Sequence, residues 1–214
     1  MKKTIKKVTG KFGYRLIKES ERGSVKYVNL EPKHIKNLQV VCDRSELLEK
    51  LPKAGRVAEL GVDQGNFSEK ILAIADPAKL FLVDTWGTVR FGEDKMNLVK
   101  SKFETEIKSG KVEIVRKTSN QALEEFEDGL LDWVYIDTSH AYDQTRKELE
   151  LGRMKVKKGG IISGHDYCKG NVEEAKIYGV VRAVNEFCLE HDWKFVYLTF
   201  ETKGNLSFAI SEIK

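Results

Sequence analysis

The sequence predicts an α/β fold, in which helices cover both faces of a mainly parallel β-sheet. Short apolar strands alternate with helices of ten or more residues from residue 45 onward, a pattern typical of βαβ units. Only residues 201–205 separate the last two strands, and this spacing indicates an antiparallel hairpin rather than a crossover. The 214 residues suit one domain with a short appendage.

The elements follow in chain order. Runs of β-branched and aromatic residues, several of them ended by Gly or Asp, predict seven strands, at residues 56–60, 79–84, 112–115, 131–137, 160–164, 194–200 and 206–210. Apolar residues three or four apart predict the helices, at residues 47–51, 66–75, 93–109, 120–126, 142–156 and 172–190. Residues 45–214 therefore form the folded domain, and residues 1–44 form a basic N-terminal extension.

The charge is unevenly distributed along the chain. Residues 1–18 carry seven Lys and Arg and no acid, so the net charge of +4 becomes −3 for the remainder. A nucleic-acid partner is not expected, because such binding favours a basic face on the domain itself. The basic arm is either a solvated extension or a segment that contacts an anionic membrane surface, an acidic partner or the other subunit of a homo-oligomer.

Composition indicates a cytoplasmic protein. No apolar stretch reaches the roughly 18 to 20 residues of a membrane-spanning helix, so no transmembrane segment is expected. Three widely separated cysteines with no CxxC pair argue against a disulfide framework and against a zinc site.

Two glycines follow the first strand, in the segment ELGVDQG at residues 59–65. Gly61 and Gly65 permit a tight turn and close approach of a ligand, although turn chemistry alone also explains such a pair. Asp84 ends the next strand, where a carboxylate can accept hydrogen bonds from both ribose hydroxyls of an adenosine, and Trp86 can stack on adenine. The middle and closing glycines of the dinucleotide fingerprint are missing, so a cofactor with an adenosine but no pyrophosphate fits better.

A second polar cluster follows the fourth and fifth strands. Asp137 closes one strand, and His165 and Asp166 close the next, so the three side chains can converge if the strands are neighbours. Oxygen and imidazole ligands suit Mg²⁺, Mn²⁺ or Fe²⁺, although polar groups that cap loops without an ion explain the pattern equally well. His140 is a candidate general base for a substrate hydroxyl, or a structural hydrogen-bonding residue.

Four segments carry a family resemblance: VAELGVDQG (57–65), LVDTW (82–86), VYIDTSHAY (134–142) and GGIISGHDY (159–167). Together they resemble class I S-adenosylmethionine-dependent methyltransferases, and within them the small bacterial group related to macrolide-sugar O-methyltransferases and cephalosporin-hydroxylase-like proteins. The resemblance covers residues 45–212. It implies a Rossmann-like three-layer sandwich whose seven-stranded, mostly parallel sheet has its last strand antiparallel.

The resemblance also implies roles for single residues. Cofactor binding falls to Glu59, Gly61 and Gly65 around the methionine part, Asp84 at the ribose, Trp86 and Ser119 beside the adenine, and Asp137. The residues that the resemblance implies as ligands of a divalent metal, Mg²⁺ or Mn²⁺, are Asp137, His165 and Asp166. Two positions depart from the family pattern: Thr118 stands where relatives often have an acid, and His165 stands where metal-dependent relatives have a carboxylate.

The predicted activity is methyl transfer from S-adenosylmethionine to a small-molecule acceptor, and the resemblance favours a hydroxyl of a sugar, glycan or related metabolite. Asp137 and His140 are the candidate catalytic residues, because removing the hydroxyl proton assists the displacement. The alternatives are a nicotinamide-dependent oxidoreductase, and a hydroxylase-like or non-catalytic relative that binds the cofactor without methyl transfer.

Overall fold

A computed structural model describes residues 26–171, 176–201 and 205–214. The basic arm at residues 1–18 lies outside the described residues, so its predicted contacts stay predictions. The strands are β1 (Gln39–Val41), β2 (Arg56–Leu60), β3 (Lys79–Asp84), β4 (Val112–Arg116), β5 (Leu131–Ile136), β6 (Val156–Gly164), β7 (Gly170–Asn171), β8 (Lys176–Ile177), β9 (Trp193–Thr199) and β10 (Phe208–Glu212).

The helices lie between these strands and close the layers on either side. They are α1 (Pro32–Ile35), α2 (Arg44–Lys50), α3 (Asn66–Lys70, continued by a π-helical turn at Ile71–Ala75), α4 (Glu93–Lys102), α5 (Glu104–Lys108), α6 (Ser119–Glu125), α7 (Tyr142–Lys155) and α8 (Val180–His191). Among the described residues, none of the helices has the length and hydropathy that crossing a membrane requires.

The central sheet has the strand order β1-β9-β10-β6-β5-β2-β3-β4. Its neighbouring strands run parallel except at β10, which is antiparallel to both β6 and β9. The predicted α/β class and antiparallel last strand are therefore confirmed. The predicted number of seven strands is wrong, because β1 adds an eighth by pairing in parallel with β9. β1 has three residues and lies in the segment predicted as an N-terminal extension, where no periodicity marks it.

Two predicted helices differ from the structure. The helix at 93–109 is split because Phe103 leaves helical geometry (φ −112°, ψ 25°) and buries its side chain. The helix predicted at 172–190 falls partly on residues 172–175, which lie outside the described residues. Within the described residues it begins at Val180, and Lys176–Ile177 form β8, which pairs with β7 in a small separate ribbon. The backbone N–H of Gly179 donates to the carbonyl of His140 at 2.8 Å, which fixes the start of α8 beside the end of β5.

The core lies on both faces of the sheet. Along β5, Trp133 and Tyr135 pack into one apolar cluster, whereas Val134 and Ile136 pack into the other, and all four are buried. A strand that is buried on both faces has a continuous run of apolar residues in its sequence. For this reason the sequence predicts β5 well. Buried, rigid strands hold the loops at their carboxyl ends in fixed positions, and there the functional candidates gather.

Candidate active site

The carboxyl ends of β2, β3, β4 and β5 bound a cavity of about 680 Å³. Ligands of parallel α/β sheets bind at this edge. Six of the predicted site residues line the cavity: Glu59, Gly61, Asp84, Ser119, Asp137 and His140. The fold therefore brings five of the predicted cofactor-binding residues and both candidate catalytic residues around one space, with Asp137 belonging to both sets. The predicted site residues that do not line it are Gly65, Trp86, His165 and Asp166.

The turn after β2 requires glycine at two positions. Gly61 has φ +92°, and a Cβ atom there would lie 2.0 Å from the carbonyl oxygen of Asp137. Gly65 has φ +73°, and a Cβ atom there would lie 2.8 Å from the ring of Phe103. Only glycine adopts such angles without strain and leaves this space. The turn after β2 therefore packs backbone to backbone against the loop after β5.

Asp84 holds this turn in place. Its Oδ2 atom accepts hydrogen bonds from the backbone N–H groups of Val62 and Asp63, both at 3.0 Å, and its Oδ1 atom accepts one from the N–H of Trp86 at 3.1 Å. A carboxylate offers about four acceptor sites. Asp84 therefore organises the cavity wall and keeps acceptor capacity for a ligand.

Trp86 does not reach the cavity as predicted for an adenine contact. Its ring is buried in the core, and its indole N–H donates to the carbonyl of Asp63 at 3.0 Å. Within the described part of the chain, Phe91 is the aromatic residue that lines the cavity from this loop. The sequence places both aromatics in one irregular stretch after β3, where no periodicity shows which of them faces inward.

Glu59 is a buried acid in the cavity wall. Its side chain is 1 % exposed and accepts a hydrogen bond from the Ser68 hydroxyl. Burial raises the pKa of Glu59 to about 8, although the hydrogen bond from Ser68 opposes the rise. Near neutral pH the group is therefore mostly protonated.

Ser119 opens α6 at the far side of the cavity. Its hydroxyl donates to Glu148 of α7, and burial raises the pKa of that carboxyl. Thr118, which departs from the family pattern, caps the helix: its hydroxyl accepts from the backbone of Gln121, whose side chain accepts from the backbone of Thr118. The residue that replaces an acid here therefore has a structural role.

The acid and histidine cluster forms because β5 and β6 are paired neighbours, as predicted. Asp137, His140 and Asp166 place potential ligand atoms within 4.8 Å of one another. The Nδ1 atom of His165 lies 3.6 Å from Asp137 Oδ2 and 3.5 Å from Asp166 Oδ2. The predicted metal set thus converges, and His140 joins it. Carboxylate oxygens and imidazole nitrogens fit a divalent cation such as Mg²⁺ or Mn²⁺.

Hydrogen bonds and burial set the charges in this cluster. Burial raises the pKa of Asp137, and the neighbouring His165 opposes that rise. Burial would also raise the pKa of Asp166, but the hydrogen bond from His140 Nδ1, at 3.0 Å, holds it far below its usual range. Burial alone would lower the pKa of His140, but the hydrogen bond to Asp166 raises it and outweighs burial, so the net shift of the His140 pKa is upward. The side chains of His140 and Asp166 therefore act as a hydrogen-bonded pair.

Arg44 is a lining residue that sequence reasoning missed. It is the first residue of α2, and its guanidinium lies 5.0 Å from the centroid of the Phe67 ring. An isolated arginine upstream of the recognisable motifs gives no sequence signal of a ligand contact.

The same cavity-forming region carries the match to known proteins. A family model described as a methyltransferase domain matches residues 58–167, which are 110 of the 214 residues. The chain belongs to the class I S-adenosylmethionine-dependent methyltransferases. The match spans the turn after β2, Asp84 and the whole acid and histidine cluster.

Solved structures show the same methyltransferase fold. An S-adenosylmethionine-dependent methyltransferase from Aquifex aeolicus is 14% identical, with 85% of this chain and 92% of that chain covered and a TM-score of 0.59. Aeropyrum pernix fibrillarin, in complex with S-adenosyl-L-methionine, is 12% identical, with 78% and 72% covered and a TM-score of 0.57. A tRNA methyltransferase from B. subtilis is 11% identical, with 81% and 67% covered and a TM-score of 0.57. A search of the curated proteins found no match.

Membership in this methyltransferase family confirms the predicted resemblance to class I S-adenosylmethionine-dependent methyltransferases and supports S-adenosylmethionine as the methyl donor. It favours methyl transfer over the nicotinamide-dependent alternative. The acceptor is a separate question, because one fold serves many acceptors.

Proposed function

We propose that this methyltransferase moves the methyl group of S-adenosylmethionine to a hydroxyl of a small molecule, such as a sugar, a glycan or a related metabolite. The observation that carries the proposal is that one cavity joins Asp84 and the glycine turn to Asp137 and His140. A cofactor held by Asp84 and the glycine turn would present its methyl group to Asp137 and His140.

In this proposal the cofactor lies along the strand ends. Asp84 accepts hydrogen bonds from the ribose, while Phe91 and Ser119 border the adenine. The methionine part follows the turn at Gly61, near Glu59. Asp137 faces the sulfonium end, because it lies at the end of β5, next to β2.

His140 is the proposed general base. Its Nδ1 atom donates to Asp166, which orients the ring and leaves Nε2 free to accept the proton of an acceptor hydroxyl. As the acceptor oxygen attacks the methyl carbon, the carbon–sulfur bond breaks. Its electron pair stays on sulfur, and S-adenosylhomocysteine leaves as a neutral thioether. The carboxylate of Asp137 stabilises the positive charge that the proton transfer places on the imidazole of His140.

The donor set that fits a divalent cation lies at the same place. Asp137, His165 and Asp166 would hold the ion, with His140 beside them, and a bound ion would lower the pKa of a hydroxyl that it contacts. The two imidazole rings in the cluster favour Mn²⁺ over Mg²⁺, because Mg²⁺ prefers oxygen ligands.

Charge supports a small molecule as the acceptor. Beyond residue 18 the chain has a net charge of −3, whereas proteins that bind nucleic acid present basic faces. A hydroxyl on a neutral small molecule needs no basic face on the protein.

The proposal is tested with radiolabelled S-adenosylmethionine and a panel of acceptors that includes sugars, oligosaccharides, phenols and tRNA. We expect the label to enter a small hydroxylated acceptor as a methyl ether and not to enter tRNA. Labelling of tRNA alone would contradict the proposed acceptor class. Cofactor binding without turnover on any acceptor would favour the non-catalytic relative.

A further inference from the structure

We infer that Arg44 recognises the α-carboxylate of the cofactor's methionine part, so that the cavity distinguishes an intact amino acid end from a decarboxylated one. This inference rests on the proposed placement of S-adenosylmethionine. It adds a specificity-determining residue that lies outside the segment matched by the family model, residues 58–167.

The strand order separates the two ends of the cavity. Adjacent strands lie about 4.8 Å apart, so β5 and β4, three positions apart in the order β5-β2-β3-β4, are separated by roughly 14 Å. Asp84 and Ser119 follow β3 and β4, at the proposed adenosine end. Arg44 lies at the other end, because Phe67, which it covers, packs on Tyr135 of β5 with ring centroids 4.4 Å apart.

The backbone around Arg44 is fixed. Asp43 caps α2 by accepting hydrogen bonds from the N–H groups of Ser45 and Glu46, at 2.7 and 2.9 Å. The N–H of Arg44 itself donates to Glu201 at 3.0 Å, which ties α2 to the end of β9. The side chain therefore starts from a defined point, and Arg44 is one of the residues that line the cavity.

The carboxylates near the guanidinium leave donors for a ligand. Arg44 lies 3.9 Å from Asp137 and 3.8 Å from Glu201, distances that exceed those of a direct N–H···O bond. A guanidinium has five N–H donors in a planar fork that matches a carboxylate. Burial lowers the pKa of Arg44, but the neighbouring Tyr135 hydroxyl, followed by the carboxylates of Asp137 and Glu201, raises it above its usual value, so the positive charge persists.

The charges at this end suit a zwitterion. Asp137 provides an anion for the cofactor's ammonium group, and Arg44 provides a cation for its carboxylate, with the two protein groups 3.9 Å apart. Lys70, which lines the same end of the cavity, adds a second cation. An acceptor without charge would gain nothing from Arg44, whereas every cofactor molecule carries the carboxylate.

The test compares two probes by calorimetric titration of the full chain. One is S-adenosylhomocysteine, and the other is S-adenosyl-3-thiopropylamine, which lacks only the carboxylate. Wild-type protein should bind S-adenosylhomocysteine about tenfold more tightly or better, as a charge-assisted pair predicts. Arg44→Gln should abolish this preference by weakening S-adenosylhomocysteine alone, and Arg44→Lys should restore part of it.

Lys117→Gln is the matched control, because it removes a positive charge from the adenosine end of the same cavity. It should keep the wild-type ratio of the two affinities. If Arg44→Gln also keeps that ratio while melting like wild type, the inference about Arg44 is wrong and the proposed function stands. If folded wild-type protein binds neither probe, the proposed function fails together with the inference.

Discussion

Single side chains in the cavity determine its chemistry, and the buried carboxyl of Glu59 also makes the stability of the protein depend on pH. In the folded protein its pKa is raised from 4.5 to about 8 by burial, so the folded state keeps a proton that the unfolded chain has lost between these values. The free energy of unfolding should therefore fall as pH rises through this window. The full effect is on the order of 5 kcal/mol.

Glu59→Gln should remove this decline, because an amide does not ionise. Chemical denaturation from pH 5 to pH 8 measures the slope, and the exposed Glu113→Gln serves as the control that should follow wild type. Equal slopes for wild type and Glu59→Gln would show that Glu59 is ionised in the folded protein.

His140 is the side chain whose loss should separate catalysis from binding. His140→Ala should lower the turnover number by about a hundredfold to ten-thousandfold, the usual contribution of a general base. Affinity for S-adenosylhomocysteine should stay near that of wild type, because the ring is assigned to the acceptor. Initial rates and calorimetry measure the two quantities. His191→Ala removes an imidazole that bonds Glu150, away from the cavity, and should leave both unchanged. Full activity in His140→Ala would exclude its role as base.

Among the secondary-structure elements, the turn after β2 has the least freedom. Gly61→Ala would bring a Cβ atom to 2.0 Å from the Asp137 carbonyl oxygen, so the turn or the loop after β5 must move. We expect this variant to lose cofactor binding and several kcal/mol of stability, roughly 3 or more. Gly110→Ala shares a positive φ, +78°, but its Cβ meets nothing within 4 Å, so it should cost only about 1 kcal/mol. Similar stability of the two variants, measured by denaturation, would contradict the close approach.

The strands were predictable where burial shaped the sequence. β2, β3 and β5 are apolar runs because both faces of each are covered, and their ends are marked by Gly61 and Asp84 or followed by Asp137. β1 was not predictable, since three residues at an edge need no apolar pattern. The start of α8 was also missed, because it depends on a hydrogen bond between Gly179 and the distant loop at His140.

The candidate site was predictable where residues follow strands directly. Asp84, Asp137 and Asp166 stand at or just after strand ends, so topology alone brings them to one edge of the sheet. Trp86 and Phe91 lie in an irregular loop whose path depends on tertiary contacts such as the indole bond to Asp63. Arg44 reaches the cavity from a helix outside the motif, and no spacing rule connects it to Asp137.

For the enzyme as a unit, metal removal distinguishes two ways of activating the acceptor. The convergence of Asp137, His165 and Asp166 predicts that a chelator lowers methyl transfer, and that Mn²⁺ restores it more fully than Mg²⁺ because imidazole ligands are present. Activity that survives exhaustive chelation would assign activation of the hydroxyl to His140 alone.

The most direct measurement is calorimetric titration of the purified chain with S-adenosylhomocysteine, repeated with Asp84→Asn. Micromolar binding in wild type that is lost in Asp84→Asn, but kept in the exposed Asp76→Asn, would place the cofactor's ribose over the glycine turn. Thermal melts establish that each variant is folded. Wild-type protein that is folded and does not bind S-adenosylhomocysteine, or Asp84→Asn that binds it as tightly as wild type does, would contradict the assignment of this cavity to the cofactor.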